Sequence, residues 1–265
     1  MMRFGLPIFS GLVLFFLVSP IFVIFPLSLS SSSVLTLPVP GYSLQWYEDF
    51  FFSERWLLAT RNSFIVGFAT MFIAGLLGTM AAFGLHASEF RGKKLVLGAM
   101  SLPMVVPLIV TATSMFLAFS IVGIANSLWG LIVAHTIIAA PYVVITVLAS
   151  LQTFDMNLLR AALSLGAPPV TAFREIVLPM IMPGVIAGAI FAFATSFDEL
   201  VIAIFITGPG QFTLPRQMFA GLREFMSPTI SAAAVIMVVL SFIFLFITEA
   251  VRRRGERLKS SPAEH

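Results

Sequence analysis

The chain has 265 residues, 59% of them hydrophobic and only 10% charged, with a mean hydropathy of +1.04. A soluble domain carries about 25% charged residues, so this composition excludes water as the only solvent and points to membrane spans of about 20 residues each. The lack of cysteine excludes disulfides, thiolate metal sites and a cysteine nucleophile. The pI of 9.7 fits basic residues gathered at span ends, and with no nucleic-acid-binding motif beside it, no nucleic acid partner is expected.

Six apolar stretches have the length a membrane helix needs: 6–29, 62–85, 95–119, 127–150, 180–207 and 229–250. Apolarity that is continuous rather than alternating predicts helices, not barrel strands. The expected fold class is therefore all-α, an integral membrane protein of six transmembrane helices forming one domain over residues 1–265. The first stretch is longer than a signal-peptide core of about 7–15 residues and no clear small-x-small site follows, so it reads as a retained span leaving through the polar "SLSSSS" loop at 28–33. In the second span, the Gly and Ala positions of "GFATMFIAGLLGTMAAFG" predict close helix packing. Pro103 and Pro107 in the third and Pro141 in the fourth remove backbone donors, which makes each a gating hinge or a static kink. His135 is either a hydrogen-bonded packing residue or a group facing a path through the spans.

The fifth span holds Asp198 and Glu199. An ionised carboxylate costs about 2.5–3.5 kcal/mol at mid-bilayer. Asp198 falls roughly 28 Å beyond Pro179 on an ideal helix, at the outer end where that cost is smaller. The pair is either a cation-attracting mouth or a structural carboxylate pair bonded to local backbone or to Arg216. With the N-terminus inside, eleven Lys and Arg fall on the cytoplasmic side, five of them in the tail (Arg252, Arg253, Arg254, Arg257 and Lys259), against four outside. The bias places both termini in the cytoplasm.

That orientation also puts "RAALSLGAPPVTAFREIVLP", residues 160–179, on the cytoplasmic side between spans four and five. Asp155 can cap a helix through "MNLLRAALSL". Gly166 suits the left-handed residue that ends helices, and Pro168 and Pro169 stop continuation while allowing a new first turn. The expectation is helix, glycine turn, helix, lying at the membrane face. Leu158, Leu159, Ala162 and Leu165 share one side of the first helix, and Ala161 with Ala162 keeps it slim enough to enter a groove on another protein.

This segment resembles the EAA loop of binding-protein-dependent ABC importer permeases. The matching residues are Ala161, Ala162, Gly166, Ile176, Leu178 and Pro179, with Arg160 where the family usually has glutamate. The resemblance continues through "SFDELVIAIFITGPGQFTLP" and is closest to the branch that imports spermidine and putrescine. It implies the ABC importer permease fold with a cytoplasmic coupling helix at 153–179, in the inner (cytoplasmic) membrane of a bacterial cell. It further implies a second permease subunit (a different chain, making a heterodimer), two ATP-binding subunits and a periplasmic or extracellular solute-binding protein. Arg216 and Arg223 are then either contacts for that binding protein or solvated loop charges. "RGKK" lacks the glycine and the Ser/Thr of a phosphate loop, so no cofactor is expected on this chain, and ATP and Mg belong to the partner ATPase. No catalytic or metal-ligating residue is expected. The alternatives are an ABC permease for another small solute such as an amino-acid derivative, a secondary transporter, whose paired related halves are not visible here, and an intramembrane peptidase, whose "GxSG" or "GxGD" setting is missing.

Overall fold

The structure is a computed structural model that describes residues 2–224 and 227–260. Side chains beyond residue 250 lie outside the described set, and the five tail cations counted above are among them. Among the described residues the chain is helical between loops, with one isolated antiparallel bridge, Ser30 to Tyr42. Contacts divide it into two compact units, Met1–Ala59 with Arg216–Phe242, and Thr60–Pro215 with Ile243–His265.

In the first unit, α1 (Met2–Ser28) is long and apolar, and no side chain over residues 7–27 is buried. A helix of that kind needs lipid or another membrane chain around it. The loop after it closes through Trp46 Nε1, which donates to the Ser30 carbonyl at 2.6 Å, and through the Ser28 and Tyr47 hydroxyls, 2.8 Å apart. α2 (Gln45–Phe52) is then tied to the start of α12 (Thr229–Ser260) by the Thr229 hydroxyl, which donates to Asp49 Oδ2 at 2.7 Å.

The second unit takes up most of α3 (Glu54–Ala87), then α4 (Lys93–Val105), α5 (Leu108–Val122), α6 (Leu128–Leu151), α7 (Met156–Ser164), α8 (Pro169–Ala172), a π turn (Phe173–Val177), α9 (Leu178–Phe197) and α10 (Val201–Ile206). α11 (Leu214–Glu224) follows, running from this unit into the first. Its centre is the α6–α9 pair. Gly184 and Gly188, one turn apart on α9, sit so close to Ser150 and Thr146 of α6 that a Cβ at either would overlap them. Small residues four apart let two membrane helices approach where no hydrophobic drive exists between them. Gly78 of α3 meets Val143 of α6 in the same way, and Gly67 meets Phe193, as the small residues of that span predict. The buried core runs along α6 through Val143, Val147 and Leu151 to Leu159 of α7 and Ile181 of α9. A stack of rings, Phe64 and Phe68 with Phe193 and Phe197, adds aromatic contacts at centroid distances of 4.9–6.3 Å.

Three expected elements differ. The stretch 95–119 is not one straight span: α4 and α5 meet at a bend of 104°. Pro107 offers no N–H and forces Val106 into an extended conformation (φ −69°, ψ 134°), which ends the helix there. Pro103 and Pro141, by contrast, sit inside helices that continue. The fifth span is likewise not continuous over 180–207, since α9 stops at Phe197 and a separate short helix, α10, follows. Finally, the helix expected to lie at the membrane face after Gly166 instead runs on into the span, giving one apolar helix over Pro169–Phe197. The π turn makes this possible. The Leu178 N–H reaches back five residues to the Phe173 carbonyl, widening the turn just before Pro179, whose ring and missing N–H an ordinary α turn accommodates poorly.

Among the described residues the six expected spans thus resolve into four long apolar helices, the bent α4–α5 pair, and the shorter apolar stretch Thr229–Phe244 of α12.

Candidate functional site

The cytoplasmic-loop candidate at 153–179 is built by local rules. Asp155 Oδ1 accepts the Asn157 N–H at 2.9 Å, capping α7. Gly166 takes φ +89°, a left-handed conformation that costs a residue with a Cβ roughly 1–2 kcal/mol, and Pro169 opens the next helix. The apolar side of α7 divides rather than acting as one face. Leu159 is buried and Ala162 packs on the core, while Leu158 is exposed and Leu165 is 90% exposed. Arg160, Ala161, Gly166 and Val170 are also exposed. What projects is therefore a short, slim, partly apolar knob carrying one cation. Ile176 is anchored behind it against the core, and Leu178 and Pro179 form the first turn of α9. Phe173 packs edge-on against Phe83 of α3, with centroids 4.8 Å apart, so the segment behind the knob touches α3 as well as running on into α9.

The second feature is a cavity of about 570 Å³ where the α4–α5 bend, α6 and the α9–α10 turn meet. Pro103, Val106 and Leu108 line it from the bend, Tyr142 from α6, and Asp198 and Glu199 from the turn. The two carboxylates are not equivalent. Glu199 is 6% exposed, and its oxygens accept the Ile202 N–H at 3.0 Å and the Ala203 N–H at 3.2 Å. It thus caps α10 by bonding the local backbone. Asp198 is exposed at the C-terminal end of α9, and among the described residues its carboxylate has no hydrogen bond or ion pair. Arg216, the other partner considered for the pair, belongs to the other unit.

His135 is fully buried in α6. Its Nδ1 is 2.7 Å from Ser196 Oγ, and its Nε2 is 3.4 Å from Glu199 Oε2. It packs with the turn that carries the carboxylates rather than lining the cavity. Pro107 lies at the bend and Pro103 lines the cavity beside it, whereas Pro141, next to Tyr142, is buried. Ser196 and Tyr142 were not singled out from the sequence, although their adjacency to "FDE" and to Pro141 was a usable signal. Among the described residues no cluster of three His, Asp or Glu side chains could hold a metal ion.

The pattern of the family described as binding-protein-dependent transport system inner membrane component matches residues 74–257. The chain belongs to this family. It is a permease subunit of an ABC importer and a multi-pass membrane protein. Relatives of this permease include the spermidine/putrescine transport system permease protein PotC of Haemophilus influenzae, 34% identical over 81% of this chain and 84% of the relative. The putrescine transport system permease protein PotI of Escherichia coli K12 is 33% identical over 91% and 88%, and the trehalose transport system permease protein SugB of Mycobacterium tuberculosis 31% over 93% and 92%. The permease also shares its fold with a chain of a bacterial alginate ABC transporter, solved in complex with an alginate pentasaccharide-bound periplasmic protein. There the TM-score is 0.73 at 16% identity, covering 93% of this chain and 92% of that one.

Proposed function

We propose that this permease forms part of the translocation path of a polyamine importer, with spermidine or putrescine as cargo. The observation that carries the reading is Asp198, an exposed carboxylate without a protein partner among the described residues, in a cavity roomy enough for a linear polyamine. Polyamines are flexible polycations at neutral pH, and a negative cavity raises their local concentration and partly replaces their lost hydration. The identity to two polyamine permeases over most of the chain supports the same cargo. A neutral sugar is the second reading, favoured by the 31% identity to the trehalose permease.

The working complex pairs this chain with a different permease subunit, two ATP-binding subunits and a solute-binding protein in the inner membrane. ATP and Mg are held by the ATP-binding subunits, the knob at Arg160–Gly166 docks on one of them, and both termini lie in the cytoplasm. The periplasmic protein bound to the alginate transporter of the same fold supports the solute-binding partner in this assembly. The experiment is to reconstitute the complex with its binding protein and measure ATP hydrolysis with spermidine, putrescine or trehalose. Stimulation by the polyamines is expected; stimulation by trehalose alone would replace the reading.

A further inference from the structure

His135 has no exposed surface, yet it is polar at both ends of its ring. A buried polar atom is costly unless it meets a partner, so the surroundings of each nitrogen carry information. Nδ1 lies 2.7 Å from the Ser196 hydroxyl, which donates to the Thr70 hydroxyl of α3 at 3.4 Å. Nε2 faces Glu199 Oε2 at 3.4 Å, close but not aligned as a hydrogen bond. A ring nitrogen with a bare lone pair towards a carboxylate would be repelled. The contact with Glu199 is therefore attractive only with a proton on Nε2.

The carboxylate that Nε2 meets is already committed to the Ile202 and Ala203 amides. Two backbone N–H groups of α10 and the Nε2 edge of His135 on α6 thus converge on Glu199, and none on Asp198. We propose that His135 is a positioning residue for cargo recognition. It holds Glu199 as the cap of α10, which fixes the Asp198–Leu200 turn and leaves Asp198 as the carboxylate offered to a cargo ammonium. His135 acts through Glu199 and does not touch cargo. The inference about cargo rests on the polyamine reading; the positioning itself does not.

Two variants separate the ring nitrogens. In His135→Asn the amide reaches the Ser196 position but falls short of Glu199. In His135→Gln it reaches to about where Nε2 lies. The assembled importer, embedded in lipid nanodiscs without cargo, is compared by amide hydrogen exchange across residues 200–206. The same complexes in proteoliposomes are then assayed for spermidine uptake per assembled complex. His135→Asn is expected to speed exchange of the Ile202 and Ala203 amides at least tenfold. It should also raise the half-saturating spermidine concentration about tenfold, with maximal rate within twofold of wild type. His135→Gln should return both to within threefold.

Equal behaviour of the two variants overturns the proposal, as does a fall in maximal rate with half-saturation unchanged. Loss of assembly in both makes His135 a folding residue and overturns it too. Should the wild-type importer take up no polyamine, the cargo reading falls, and the exchange comparison still decides the positioning role.

Discussion

Asp198 and Glu199 are neighbours in the chain, but α9 ends just before them and α10 begins just after. That placement sends one carboxylate to the cavity and turns the other onto backbone amides. Sequence alone left both roles open, because a pair of acidic residues reads identically whether or not a helix stops beside it. The structure distinguishes the two by what each oxygen touches. Asp198→Asn preserves size and removes charge; a hydrogen bond to a charged group is worth about 1.5–3 kcal/mol, and 1.4 kcal/mol is tenfold in affinity. The half-saturating polyamine concentration is expected to rise about tenfold in uptake assays normalised to assembled complex. Glu199→Gln instead sets an amide against two backbone donors, with a capping loss of about 1–2 kcal/mol. Lower yield of assembled complex is expected, by size-exclusion chromatography, together with a raised half-saturating polyamine concentration, because the same cap fixes the turn that carries Asp198. An unchanged half-saturating concentration in Asp198→Asn, with the yield loss falling there instead of in Glu199→Gln, would reverse the assigned roles.

Among the helices, what could be read from the sequence depended on how local its cause was. The Asp155 cap, the Gly166 turn and the Pro169 start each follow from one residue's own chemistry, and all appear as expected. The proline at 107 announced a break, but not its size, because the 104° bend depends on what packs around it. Continuity through Pro179 could not be read at all. Proline ordinarily argues for a helix start, and only the five-residue reach of the π turn carries the chain past it. The contact of Gly184 and Gly188 with α6 was legible in principle as small residues four apart, a spacing not picked out in this span. Gly188→Val is expected to force α9 from α6, since its Cβ would overlap Thr146 and come within 3.0 Å of the Val143 backbone. Overpacking of this kind costs about 1–3 kcal/mol, read as reduced thermal stability of the purified complex. Gly166→Val tests a different element. Nothing lies within 4 Å of a Cβ there, so the penalty comes from the left-handed backbone alone. The protein should still insert, while ATPase association or cargo-stimulated hydrolysis falls. Normal values of both would remove the docking role from the knob.

For the whole molecule, the proposed function requires two features to be consistent: the knob facing the ATP-binding subunits and the cavity sitting towards the other side of the membrane. α8, the π turn and α9 link them in one helix. Residues 169–197 run unbroken from beside Gly166 to the turn at Asp198, and 29 residues at 1.5 Å each span roughly 43 Å, more than the roughly 30 Å hydrocarbon core. The knob and the Asp198 turn therefore belong on opposite faces of the bilayer. Charge decides which face is which. Arg91 precedes α4 and Lys93 and Lys94 open it, while Arg160 lies on the knob and Arg174 follows it; such clusters favour the cytoplasmic side. On the proposed function Asp198 then opens outward, where the solute-binding protein would deliver cargo. A reporter active only in the cytoplasm, fused after residue 265, should be active, and one fused within the 208–213 loop should be silent. An active loop fusion would invert the molecule, placing Asp198 on the ATPase side, and the carboxylate could then no longer serve as the point of entry.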